Sequence, residues 1–179
     1  SKQGVLMLGG DSHQKNPENM LKAWAQLPKE LQKAHPLTIL GFVGGEDSII
    51  SKTIRALGIE NDIVLKGWVT EDELIQAMQT SKVFIFASRE EGFGFPLVQS
   101  MASGTPVVTS EADVLIEIGQ DAVCSAKAED FLALSSAVRS LLTDEKLYNE
   151  KVQKGLTISS KFTWEHTAEH IASTYLTLL

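Results

Sequence analysis

Long apolar runs, paired cysteines and clusters of basic residues are all missing from this 179-residue chain. Without a stretch of about 18 consecutive apolar residues, nothing in it reads as a membrane-spanning helix. A single cysteine, Cys124, excludes an internal disulfide and suits a reducing compartment, so a cytoplasmic location is expected. The 16 Lys and Arg are outnumbered by 23 Asp and Glu, for a formal net charge of -7, and no Lys/Arg run forms a basic stripe. General nucleic-acid binding is therefore not expected. The chain opens at Ser1 with neither an initiating Met nor a signal-peptide pattern. An added residue, or a cut inside a longer protein, are the two readings of that start. What is present is ordinary globular material: 43% hydrophobic and 22% charged residues. The length suits one domain, since domains run about 100–200 residues, and it can bury a core without cross-links.

The chain repeats a rhythm of short apolar run, turn, then amphipathic stretch. Gly4–Leu8 reads as a buried strand closed by Gly9-Gly10. Asn16-Pro17 reads as the N-cap and first residue of a helix carrying Leu21, Trp24 and Ala25. Leu37–Val43 is the next strand, and a helix from about Asp47 stops at Gly58. Ile63–Leu65 is a third strand, followed by the capping box Thr70–Glu73. Val83–Ala87 and Thr105–Thr109 are the fourth and fifth, and Ala122–Cys124 is a short sixth. A helix starts near Pro96, and Phe131, Leu134, Val138 and Leu141 mark another. Asp144 begins a further helix after Thr143, and Trp164, Ala168, Ile171, Tyr175 and Leu178 mark the last. Strands that are apolar throughout and alternate with helices imply an α/β, Rossmann-like, doubly wound parallel sheet of about six strands. Ligands of such sheets bind beyond the carboxyl ends of the strands, in the loops that follow them.

Two of those loops carry chemistry. Ser88–Pro96 holds Glu91, Gly92, Phe93, Gly94 and Phe95 between a strand and a helix. Its glycines let backbone approach a ligand, and a helix N-terminus with free amides favours phosphate. Glu91 can accept hydrogen bonds from hydroxyl groups. Glycine turns are common punctuation, so the segment also fits a plain turn with solvated carboxylates. Gly9–Pro17 holds Gly9, Gly10 and Lys15, the lysine standing just before the helix N-cap. There it can set a point charge beside a phosphate, although lysines are usually just solvated. Neither loop is a Walker sequence, and the Gly-x-Gly-x-x-Gly dinucleotide fingerprint is absent.

The run Glu91–Val108, with Gly9-Gly10…Lys15-Asn16-Pro17-Glu18 upstream and Glu117–Ala122 and Phe162–Glu165 downstream, resembles the retaining GT-B glycosyltransferases of the family 4 type. The resemblance runs in order through nearly all of the chain. It implies two Rossmann-like domains with the active site between them. Residues 1–179 would be the single C-terminal domain that binds a UDP- or GDP-sugar, and the acceptor-binding N-terminal domain would be absent. By this resemblance Lys15 contacts the donor diphosphate and Glu91 faces the transferred hexose. Backbone around Gly92, Phe93, Gly94, Phe95 and Pro96 holds sugar hydroxyls or phosphate, and Trp68 and Val69 lie beside the base. The implied reaction is hexose transfer with retention to a glycan, lipid or polysaccharide acceptor, without a cofactor or a strictly required metal. The isolated domain would be inactive, and any peripheral membrane contact would be made through the absent domain. Two positions depart from the family pattern. Gln99 stands where a second glutamate meets the ribose, and Gly10 stands where many relatives carry an arginine. They motivate an alternative, a non-catalytic GT-B-like binding subunit; a GT-B nucleotide-sugar epimerase is a third reading.

His166-Thr167-Ala168-Glu169-His170 matches an inverted zinc-protease pattern. A catalytic zinc needs three protein ligands, and no third follows, so a solvated helix face is expected. Cys124 reads as a small core residue, and Trp24 and Trp164 as core residues on apolar stripes. Trp68 fits a place near a base or one in packing.

Overall fold

Strand β1 (Val5–Leu8) sits inside the sheet, with β2 (Leu37–Leu40) on one side and β4 (Val83–Phe86) on the other. β3 (Ile63–Leu65) extends the first side, and β5 (Val107–Ser110) and β6 (Cys124–Ala126) the second. The computed structural model describes residues 2–177. All five pairings are parallel, in the order β3-β2-β1-β4-β5-β6. This is a Rossmann-like doubly wound sheet, whose strand order reverses between β1 and β4.

The strands are apolar on both faces because each face is covered. Val5, Met7, Val83 and Ile85 feed one core, with Trp24 of α1 (Pro17–Ala25), Ile50 and Ile54 of α3 (Ile49–Leu57) and Val138 of α7 (Phe131–Thr143). Leu6, Phe84 and Phe86 feed the other, with Met78 of α4 (Glu71–Thr80) and Leu97 and Met101 of α5 (Phe95–Ala102). Leu115 of α6 (Asp113–Gly119) and Ile158 of α8 (Glu145–Ser159) complete it. Successive side chains of a strand point to opposite faces, so one short run serves both cores.

Several elements differ from the sequence expectations. The second strand stops at Leu40, because Gly41 turns with φ +76°. The sixth runs over Cys124–Ala126 rather than Ala122–Cys124, since Gln120 at φ 47° and a 3₁₀ turn occupy the residues before it. The short helices α2 (Lys29–Ala34) and α6 carried too few turns to show a period. Trp24 is fully buried, whereas Trp164 is 80% exposed. Its helix, α9 (Trp164–Thr177), buries no residue, so its apolar stripe meets no partner among the described residues. Leu178 lies outside them. Cys124 is half-buried, and burial pushes its thiol pKa up.

Away from these loops, the half-buried Lys2 donates to the carbonyl of Ser103 at 2.9 Å and to the Thr105 hydroxyl. Burial, aided by the charge of Lys82, lowers its pKa from 10.5 to about 8. The unfolded chain keeps this proton up to pH 10.5 while the folded chain releases it near 8. Unfolding therefore takes up a proton in that window, and stability rises with pH across it. Lys2→Met is expected to flatten that rise, read as the difference in denaturation midpoint between pH 7 and pH 10.

Candidate functional site

At the carboxyl edge of the sheet, the loops after β1 and β4 meet. The Lys15 ammonium lies 2.8 Å from Glu91 Oε1, with side-chain exposures of 38% and 10%. It also stands 5.9 Å from the Phe86 ring centroid. Glycine makes this approach possible. A Cβ at Gly10 would lie 2.7 Å from Lys15 Cγ, so the lysine stem occupies the space that a side chain at position 10 would need. A side chain at position 10 and the present posture of Lys15 thus exclude each other. Gly9 is tighter still: a Cβ there would fall 2.6 Å from the backbone nitrogen of Phe42, in the loop after β2.

Asn16 is the residue before α1, but its side chain does not cap the helix. Fully buried in the left-handed region at φ 55°, it donates to the carbonyls of Ala87 (2.9 Å) and Ala128 (2.7 Å). Its own carbonyl accepts from Asn19 (2.8 Å). The loop after β1 is thereby pinned to the end of β4 and to the loop after β6.

The helices that follow strands begin at this edge, and most of their N-termini are already supplied with a carboxylate. Asp11 accepts from the Ile50 amide of α3 at 2.9 Å. Glu73 and Thr70 form the capping box of α4, and Asp130 caps α7. Glu18 and Asp113 lie in the first turns of α1 and α6. α5 alone among these helices has neither a side-chain cap nor an acidic residue in its first turn. It starts at Gly94, with φ +97°, and Pro96 brings no N–H. Gly94 packs so tightly that a Cβ would meet Leu115 Cδ2 at 2.8 Å. The Leu97 amide donates to the Gly94 carbonyl at 2.9 Å, and the positive partial charge of this helix start meets no carboxylate in its own first turn.

The remaining expected side chains line hollows that include neither Lys15 nor Glu91, or stand in solvent. Gln99 lines a largely apolar hollow of about 590 Å³ with Phe93, Phe95, Val98, Phe162 and Trp164. The Phe93 and Phe95 rings lie 4.8 Å apart between centroids. Trp68, in the loop after β3, is 85% exposed, so packing does not explain it. Val69 lines a separate hollow of about 330 Å³ with Leu40 and Lys66. The loops after β2 and β3 are joined through Gly41 N–H to the Gly67 carbonyl (3.0 Å). His166 and His170 stand 4.5 Å apart between ring centroids on α9, and no group of three or more metal-ligating side chains occurs among the described residues. No described helix is long and apolar enough to cross a membrane. Sequence reasoning missed Asp11, Gln14, Phe42 and Glu129; their contacts cross 39 to 76 residues or depend on backbone, and no local spacing announces them.

The six-stranded parallel sheet flanked by helices matches the C-terminal domains of the GT-B fold. The chain superposes on sucrose-phosphate synthase from Thermosynechococcus elongatus with a TM-score of 0.84 at 22% identity, over 98% of this chain and 45% of that one. It superposes equally on Anabaena HepE in complex with UDP-glucose (TM-score 0.84, 22% identity, 99% and 49% covered). The family model described as Glycosyl transferases group 1 matches residues 1–171, and the chain belongs to that family. It is 29% identical to O-antigen chain mannosyltransferase B of Escherichia coli, over 96% of this chain and 45% of the relative. It is 31% identical to the serotype-specific mannosyltransferase WbdA of the same species, over 94% and 21%. The chain thus spans less than half the length of these relatives.

Proposed function

We propose that this chain is the donor-binding domain of a retaining hexosyltransferase of the family 4 type. It takes a UDP- or GDP-sugar and works with an N-terminal acceptor domain that the 179 residues do not include. One observation carries the reading: a lysine ammonium meets a carboxylate of 10% exposure in the loop that leads into α5, the one strand-following helix among the described residues with neither a side-chain cap nor an acid in its first turn. The mannosyltransferase names of the relatives and the UDP-glucose bound to HepE support a nucleotide-sugar donor and a role in polysaccharide assembly. The single thiol suits a cytoplasmic setting.

In this reading the donor diphosphate lies between Lys15 and the start of α5. Glu91 accepts hydrogen bonds from hexose hydroxyls, the Gly92–Pro96 backbone closes on sugar or phosphate, and Trp68 and Val69 border the base. The bond from the anomeric carbon to the diphosphate oxygen breaks as the acceptor oxygen bonds to that carbon from the same face. The acceptor proton passes to the departing phosphate oxygen. Negative charge grows on the diphosphate, where Lys15 and the α5 dipole hold it. Those two cationic elements do the work a metal would do elsewhere, so no metal is required.

The ribose falls to Gln99, a neutral acceptor. A charged acceptor makes a hydrogen bond about twice as strong. Gln99→Glu is therefore expected to tighten UDP or GDP binding about fivefold, measured by calorimetric titration. An unchanged affinity would place the ribose elsewhere and favour the non-catalytic reading.

A further inference from the structure

We infer that Arg89 is a positioning residue for Lys15: it holds the lysine's loop against the loop after β4 and does not touch the donor itself. The inference rests on the proposed placement of the diphosphate at Lys15. Between its two anchored ends, Asp11 on α3 and Asn16 on β4, the loop after β1 has few bonds of its own. They are the Lys15 and Asn16 amides, each donating at 3.1 Å to the carbonyl three residues earlier, with the Lys15 N–H also 3.3 Å from the Ser12 hydroxyl. The rest of its support comes from Arg89. Its guanidinium donates through Nη1 to the His13 carbonyl, and its backbone N–H donates to the Gln14 carbonyl at 2.8 Å. Gln14 Nε2 answers with a bond to the Glu90 carbonyl at 3.0 Å. Three cross-loop bonds thus bracket the residues immediately before Lys15 and immediately before Glu91.

The guanidinium is itself held. Nε donates to Glu129 Oε1 at 3.0 Å, from the loop after β6, and the Arg89 side chain is only 16% exposed against 69% for Glu129. Arg89 thus spends Nε and Nη1 on protein acceptors, and in the proposed reading the cation offered to the phosphate is Lys15. A lysine has long rotamer freedom, and its grip on an anion depends on where its backbone is fixed. Arg89 does that fixing with Nε and Nη1 set apart on one rigid planar fork, a geometry that the single nitrogen of a lysine at position 89 does not copy.

The test is a double-mutant cycle on the 179-residue chain, titrated calorimetrically with whichever of UDP or GDP binds and with the matching nucleoside. Arg89→Ala is expected to weaken the diphosphate about tenfold and leave the nucleoside unchanged. Arg89→Lys is expected not to restore it. Lys15→Ala/Arg89→Ala together should bind no more weakly than Lys15→Ala alone, because Arg89 acts through the lysine. Glu129→Ala, which leaves the loop bonds in place, should lose about threefold and keeps the question open to measurement if Arg89→Ala folds poorly. Additive losses in the double variant, an equal loss on the nucleoside, or no loss in Arg89→Ala would each overturn the inference while leaving the donor reading intact. A parent chain that binds neither diphosphate, or a Lys15→Ala chain that binds as the parent does, would overturn the donor reading and this inference with it.

Discussion

Lys15→Ala is expected to lower affinity for UDP or GDP about thirtyfold, the loss of one hydrogen bond to a charged group together with its charge. The substitution does two things. It removes the cation from the proposed diphosphate position, and it strands Glu91, whose side chain is 10% exposed and whose ion-pair partner is this lysine. An isolated buried carboxylate is costly. The variant should therefore also lose stability, and the two effects separate in a second variant. Lys15→Ala/Glu91→Gln removes the stranded charge, so its urea midpoint should return toward that of the parent while nucleotide binding stays weak. Calorimetry reports the first quantity and chemical denaturation the second. Recovery of binding in the double variant would mean that Lys15 acts only by neutralising Glu91, and the phosphate assignment would fall.

Gly9→Ala is expected to destabilise the fold by about 3 kcal/mol, at the upper end for overpacking. The added Cβ would sit 2.6 Å from Phe42 N, 2.7 Å from its Cα and 2.9 Å from its Cβ. Two of those atoms are backbone, so no side-chain rotation relieves the clash. The ends of β1 and β2 must part, which strains the Gly9 N–H bond to the Leu40 carbonyl (2.6 Å) and the Phe42 N–H bond to the Lys66 carbonyl (3.0 Å). For a chain of this size the melting temperature should fall by roughly 9 °C. Gly45→Ala is the control. Nothing lies within 4 Å of its added Cβ, and its φ is not positive, so its melting temperature should stay near the parent's. Because Gly9 joins the loops after β1 and β2, its substitution should also weaken diphosphate binding, whereas Gly45→Ala should not.

The inner strands were legible in sequence because burial on both faces leaves uninterrupted apolar runs, and glycines mark the ends of β1 and β2. The capping box at Thr70–Glu73 and the left-handed Gly58 were legible for the same local reason: a side chain or a φ sign within four residues decides them. What failed was whatever depended on distant chain. Trp164 sits on a correct helical stripe, but spacing cannot say whether a partner for that stripe lies within the same domain. The place before Pro17 reads as a cap, yet the Asn16 side chain turns inward to carbonyls 71 and 112 residues away. Lys15 and Glu91 could be named from their loops and family resemblance. That they form one ion pair, 76 residues apart, emerges only when the parallel sheet brings β1 beside β4.

The distribution of acids along the carboxyl edge has a consequence for how a ligand is oriented. Asp11, Glu73, Asp130, Glu18 and Asp113 fill or shadow every strand-following helix start but one. A long, doubly charged donor of the kind proposed would meet one such start free of an acid of its own among the described residues, and its polarity would be settled on arrival. In that reading its phosphates moor at α5, and the uncharged ends trail to either side along the rim. The fold would thus set the heading of its guest by occupying the other moorings in advance.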